Sequence, residues 1–299
     1  MSRTIAPLLI LLAAGVVYPS MAGPYALVIG LVLAQWIALT ASWTLCGGLA
    51  GYISLGHVVF FGIGGYTSVL LFQSTPLWLA VPAGGLAAGL FALAIGAPVL
   101  RVRGPYFVIL TLGIAELVKH LVLLTEKALG KSSRLLFGVP DNETIYFALL
   151  GLAALAIAVL LVVRALPLGR GLAALREDEM AAMTLGVPVV RLKLIAFALS
   201  AVVPGMVGAL MVLRSTYFDA SRLFDAEISF TIVTMAIIGG RDDARGAVLG
   251  AGALLLISEL LWARAPQVYL VLLGILLIAF VLFLPRGLAG LLDRKAPAP

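Results

Sequence analysis

Residues 145–193 read IYFALLGLAALAIAVLLVVR followed by ALPLGRGLAALREDEMAAMTLGVPVVRLK. Residues 145–164 carry one charge, Arg164, at their very end. A helix of about 20 apolar residues crosses the ~30 Å hydrocarbon core of a bilayer. The second half has the opposite character. Residues 165–192 hold Arg170, Arg176, Glu177, Asp178, Glu179 and Arg191, too many charges for lipid. The stretch is therefore a membrane span followed by a helix-prone loop in water, and it sets the pattern for the chain.

Working outward, nine more apolar segments appear, at about 5–22, 25–47, 55–72, 77–99, 105–124, 193–213, 227–240, 246–262 and 268–284. Composition agrees. Of 299 residues, 63% are hydrophobic and 11% charged, and the mean hydropathy is +1.16. Soluble domains carry about 25% charged residues. The expected architecture is an all-α, polytopic transmembrane bundle forming one domain over 1–299. Segments 55–72, 227–240 and 246–262 fall short of a full span and are expected to be broken or partly re-entrant, backbone that a membrane tolerates only where protein buries it or where it lines a cavity. No cleavable leader is expected, because the first run leads straight into the second.

With the N-terminus in the cytoplasm, thirteen Lys and Arg fall on the inside and seven outside. That bias favours cytoplasmic termini, an even number of crossings and a cytoplasmic loop 165–192. The net charge of +6 is scattered between apolar runs, which argues against a nucleic-acid partner. Cys46, the one cysteine, excludes an internal disulfide and a Cys-rich metal site. Glycines gather at 47–65 and at 239–252, the short segments, a pattern that fits either a five-plus-five internal duplication or ordinary close helix packing.

The loop predicts a helix over 176–186. Its residues have high helix propensity, Glu177, Asp178 and Glu179 suit a first turn, Gly186 a left-handed cap, and Pro188 follows it. Ala181 and Ala182 give it a small face for close approach by another protein, or the helix lies on membrane lipid.

Here the residues carry a resemblance. Met180-Ala181-Ala182-Met183-Thr184-Leu185-Gly186 resembles the Glu-Ala-Ala-x-x-x-Gly loop of importer permeases of the ATP-binding cassette class, with Glu179 one place early. Together with Arg176, Glu177 and Asp178 the string is similar to the branched-chain amino acid permease family. So are Ser54-Leu55-Gly56-His57 through Phe60-Phe61-Gly62-Ile63-Gly64-Gly65-Tyr66-Thr67, Arg101-x-Arg103-Gly104-x-Tyr106-Phe107, Thr111-Leu112-Gly113, and Gly239-Gly240 with Gly246–Ala251. Two departures stand out: Tyr52 where Gln is frequent, and the charged Arg241–Arg245 turn where the family is neutral.

The resemblance implies a permease subunit in the bacterial inner membrane. It would work with a second permease, two cytoplasmic ATPase subunits that bind ATP-Mg, and an extracytoplasmic solute-binding protein. It implies ATPase coupling through Arg176, Glu177, Asp178, Glu179, Ala181, Ala182, Leu185 and Gly186. It makes Tyr52, Ser54, His57, Phe60, Phe61, Tyr66, Tyr106 and Thr111 candidates for the solute path. The chain itself is expected to be no enzyme and to hold no cofactor or metal. Its nearest phosphate-loop string, Thr125–Ser132, lacks the first Gly.

Intramembrane polar residues have bland readings as well. His57 is expected to hydrogen-bond a carbonyl freed at a helix break. Glu116, Lys119 and His120 are expected to pair locally at the outer end of segment 105–124. Glu227 and Glu259 are read as structural, near segment ends, and Phe60, Phe61 and Tyr66 as packing before solute contact. The rivals are an ion-coupled secondary transporter, disfavoured because most acids cluster toward loops, and an intramembrane enzyme, for which no paired His-Asp or carboxylate motif exists.

Overall fold

The computed structural model describes residues 2–21, 23–72, 74–130, 134–136, 138–215, 217–240, 243–264 and 287–292, with isolated positions between 271 and 278. They form helices α1 (Ser2–Met21), α2 (Pro24–Thr44, continued by a π-helical turn Leu45–Leu49), α3 (His57–Leu71), α4 (Leu77–Val99), α5 (Pro105–Ala128) and α6 (Asn142–Ala165). Two short helices follow, α7 (Pro167–Glu177) and α8 (Glu179–Thr184). Next come α9 (Val189–Met211, with a 3-10 turn Val212–Arg214), α10 (Ala220–Leu223), α11 (Ala226–Gly239), α12 (Ala244–Arg264) and α13 (Gly287–Leu292). Strands β1 (Arg134–Leu135) and β2 (Tyr217–Phe218) pair antiparallel.

The all-α membrane bundle is what the hydropathy pattern requires. Among the described residues, six helices are long and apolar enough to span a bilayer: α2, α4, α5, α6, α9 and α12. As expected, α3 and α11 are short, at 15 and 14 residues. The third short segment is a correction, since α12 is a full 21-residue helix. Segment 268–284 lies outside the described residues, apart from those isolated positions.

Small residues set the packing. Bundles in lipid gain little from the hydrophobic effect, so helices associate by close contact over small side chains. On α9, Gly205 and Gly208 let α3 approach until a Cβ on Gly64 would stand 1.9 Å from the Gly205 carbonyl oxygen, and one on Gly208 1.9 Å from that of Phe61. Gly84 and Gly85 of α4 press against the same region. The late glycines do the same between α11 and α12, where a Cβ on Gly239 would lie 1.8 Å from the Gly246 oxygen. The pairings exchange as two repeated halves would: α4 packs on α9 and α12 on α2, while α3 lies on α4 and α11 on α12.

Candidate functional site

At one end of the bundle α7 and α8 form a helical hairpin. The single helix expected over 176–186 is two helices. Asp178 stands between them in extended conformation, φ −152° and ψ 113°, and its carboxylate accepts the backbone N–H groups of Met180 (2.8 Å) and Ala181 (3.0 Å). An Asp that caps a new helix ends the previous one. The predicted cap at the far end is present. Gly186 has φ +81°, and the Gly186 and Val187 N–H groups bond back to Met183 and Ala182.

The small face is also corrected. Ala182 is 2% exposed and packs in the chain's own core with Leu172, Leu175 and Val189, so only Ala181 of the pair lies in the open. The large apolar side chains on the outward surface are Met180, Met183 and Leu185, the last 83% exposed, with Ala181 and Thr184 between them.

Glu179 turns inward. Its carboxylate accepts hydrogen bonds from Lys193 Nζ at 2.6 Å and the Tyr52 hydroxyl at 2.7 Å, and Arg103 lies 2.8 Å away. Lys193 Nζ also sits 4.5 Å from the centre of the Tyr52 ring, whose other neighbour is Phe107, edge-on at 5.2 Å. Partial burial alone would raise the Glu179 carboxyl. The hydrogen bonds from Lys193 and Tyr52 and the charges of Lys193 and Arg103 outweigh it and hold the group below its ordinary value. Nearby, the Arg176 guanidinium donates to the Gly48 carbonyl at 2.8 Å, in the π-helical turn. The hairpin is thus tied to α9, to the α4–α5 turn and to the segment leading into α3.

That segment, residues 50–56, folds back into the bundle without regular structure. Gly51 takes φ +76° to start the reversal. Its backbone polar groups find side-chain partners: the Ser54 carbonyl accepts from Trp43 Nε1 (2.9 Å), the Leu55 N–H donates to Thr111 Oγ1 (3.1 Å), and the Gly56 N–H to Ser54 Oγ (3.1 Å). Thr111 is six residues into α5, so α3 begins about 9 Å inside the bundle. There the Val58 N–H donates to Ser229 Oγ (3.0 Å) near the start of α11. The first turns of the two short helices meet inside the protein.

The structure therefore joins Tyr52, Ser54 and Thr111 to one irregular segment, tied by Tyr52 to the hairpin. Phe60 packs on Phe197, rings 5.3 Å apart, and Phe61 is buried in the core. Tyr66 donates to buried Glu126 at 2.6 Å, near the opposite end. His57 departs from expectation: it is fully buried, and among the described residues neither ring nitrogen has a hydrogen-bond partner. Tyr106 points away, 75% exposed. The motif-like Thr125–Ala128 belongs to the last turn of α5.

Sequence reasoning missed Arg103, Lys193, Ser229 and Glu126 as site members. Lys193 enters the sequence reading only as a topology charge, and Arg103 as a topology charge that also belongs to the Arg101–Phe107 motif. Glu126 had a readable signal, a carboxylate one turn inside the end of an apolar helix. The charged late turn is anchored as well, with Asp243 3.2 Å from Arg164 and 3.5 Å from Arg245.

One placement bears on transport. Helix α5 extends to Ala128, so Glu116 is its twelfth residue of 24, at the middle and not the outer end. It lies 4.0 Å from Lys119 and 3.8 Å from His120, local but looser than a hydrogen bond. A charged side chain facing lipid at mid-span costs about 2.5–3.5 kcal/mol by insertion scales.

Short helices that start inside a bundle of apolar spans, with an exposed hairpin braced against them, define a multi-span membrane protein. Comparison with known proteins gives the family. Residues 26–281 match the model described as branched-chain amino acid transport system / permease component. The chain is 30% identical to the high-affinity branched-chain amino acid transport system permease protein LivM of Salmonella typhimurium, over 94% of this chain and 74% of that protein. The same figures hold for LivM of Escherichia coli K12. No solved structure matches significantly. The chain belongs to the branched-chain amino acid transport permease family and is a multi-pass membrane protein with a permease role.

Proposed function

We propose that this chain is one of two permease subunits in an ATP-driven importer of branched-chain amino acids or similar small polar solutes, such as other neutral amino acids, urea or amides. It faces an extracytoplasmic binding protein on one side and two ATPase subunits, which bind ATP-Mg, on the other. The observation that carries the reading is the α7–α8 hairpin. It presents Met180, Met183 and Leu185 outward while Glu179 and Ala182 fix it inward. An apolar knob rigidly joined to a bundle is what a cleft in a cytoplasmic partner can grip and move. Motion of α8 would reach residues 50–56 through Glu179 and Tyr52, and alternating access would follow from tilting α9 and α3. The termini are assigned to the cytoplasm, in keeping with the Lys and Arg distribution.

The test uses the surface that the hairpin exposes. Leu185→Glu should leave membrane insertion intact, abolish copurification of the ATPase subunits, and lower ATP-driven uptake in reconstituted vesicles at least tenfold, about 1.4 kcal/mol or more. Leu90→Ile, on the outward face of α4, should change neither. Retention of normal ATPase binding by Leu185→Glu would sink the docking assignment. A second reading, an ion-coupled carrier, draws on Glu116 at the midpoint of α5. Gradient-driven uptake by vesicles without ATPase subunits would establish it.

A further inference from the structure

The outward face of α5 differs from that of α4. On α4 the exposed residues Leu79, Leu86, Leu90 and Leu93 are uniformly apolar, as contact with acyl chains requires. On α5 a stripe steps by three or four residues through Ile109, Gly113, half-exposed Glu116 and His120, beside the exposed Leu117, Leu121 and Leu124. The Glu116 and His120 side chains are 44% and 68% exposed, and Lys119 beside them 23%. The far face of the same helix is buried through Phe107, Thr111, Ala115 and Glu126. The helix is therefore not displaced from the bundle: one side is seated, and the side that carries Glu116 and His120 among leucines is left open.

A carboxylate and an imidazole at the centre of a span are not stable against hydrocarbon, and such groups ordinarily face a bundle interior or water. Among the described residues, a Cβ placed on Gly113 meets nothing within 4 Å. The stripe also holds both signs. The Glu116 carboxylate lies 4.0 Å from Lys119 Nζ and 3.8 Å from His120 Nδ1, too far to satisfy it fully; His120 Nδ1 is held 2.8 Å from the Glu116 backbone carbonyl, so the ring would meet a solute through Nε2.

We propose that this face of α5 lines a water-filled solute passage, and that Glu116 with Lys119 and His120 forms a subsite for a zwitterionic α-amino acid. Glu116 takes the solute's ammonium group, and the Lys119 ammonium or His120 ring takes its carboxylate. The open space at Gly113 leaves room for an aliphatic side chain. The proposal rests on the importer reading above and assigns the passage within it. It requires no proton coupling, because the charges are matched between subsite and solute.

Single cysteines at Ile109 and Leu117, in a Cys46→Ala background, test it in assembled importers that retain ATP-driven uptake. Controls carry cysteine at Leu86 and Leu90. A small, positively charged methanethiosulfonate should modify positions 109 and 117 at least about tenfold faster than 86 and 90, and saturating leucine supplied with the binding protein should slow modification severalfold. Adding Glu116→Gln should remove that protection and lower maximal uptake two- to tenfold. Rates at 109 and 117 as slow as at the controls would show the stripe covered by lipid or a partner helix and overturn the passage. Protection that persists with Glu116→Gln would overturn the subsite. Absence of ATP-driven uptake in the wild-type vesicles, seen before any labelling, would instead count against the importer reading.

Discussion

Helices α9 and α5 have similar length and apolar content, yet they do opposite things. In α9, 67% of the central span is buried, and in α5 only 17%. Helix α9 runs through the middle, touching α2, α3, α4, α6 and α7, and its small residues let neighbouring backbones come close. Helix α5 is held on one side by α3, α4, α10 and α11 and on the other carries Glu116 and His120 among exposed leucines. One helix is a scaffold whose sequence is fixed by volume. The other is a boundary whose sequence is fixed by what lies beyond it. Hydropathy cannot separate them, because both need the same apolar length to cross the bilayer.

The sharpest way to break this contrast is glycine substitution on each helix. Gly208→Val on α9 places a branched side chain where even a Cβ would stand 1.9 Å from the Phe61 carbonyl oxygen. Ordinary overpacking costs about 1–3 kcal/mol. A clash with backbone exceeds that, and the expected outcome is loss of monodisperse folded protein after detergent extraction. If Gly208→Val purifies normally, α9 is not the packed centre described here.

The effect of intermediate size concerns the tie between hairpin and scaffold. Glu179→Gln leaves Lys193, 4% exposed, without its carboxylate partner. Removing one member of a buried pair costs about 3–5 kcal/mol. The lower end is expected, since Arg103 is half-exposed. Thermal unfolding should show a clear drop in midpoint. Because the folded Glu179 pKa lies below its unfolded value, its contribution is complete above the unfolded pKa, about 4.3, and disappears as pH falls through the folded one. The wild type should therefore lose this increment in acid, and Glu179→Gln should lack that component of the pH dependence. Equal acid sensitivity in both would refute the tie.

The smallest effect belongs to α5. Gly113→Ala meets open space and gains helix propensity, so it should stabilise by about 0.4–1 kcal/mol or leave stability unchanged. A loss as large as that of Gly208→Val would erase the distinction between the two helices.

Much of the fold was legible because lipid imposes one rule on every span, and that rule acts on local sequence. The short α3 and α11 were visible as truncated runs, and the Gly186 cap as Gly followed by Pro188. The break at Asp178 was not, because three consecutive acids read equally well as a first helical turn. Only the hydrogen bonds to Met180 and Ala181 show which acid is the cap. The inward face of α8 escaped for a different reason. Six residues give less than two turns, too few for periodicity to say which side the bundle lies on. The Glu179 cluster joins positions 52, 103, 179 and 193, and no local pattern links them. The same holds for Tyr66 and Glu126, which are brought together across α3 and α5.

The irregular segment before α3 has a consequence for how the chain is made. Its Leu55 N–H waits for Thr111, 56 residues later, and the adjoining Val58 N–H waits for Ser229, 171 residues later. When α3 leaves the ribosome neither partner exists, and a helix of 15 residues is too short to settle across a bilayer alone. The early segment must stay in a hydrated or chaperoned setting until α11 has been synthesised. Truncations ending before Ser229 should consequently leave the region around residues 50–60 open to protease or thiol attack. In biogenesis, then, the second half of the chain completes the insertion of the first.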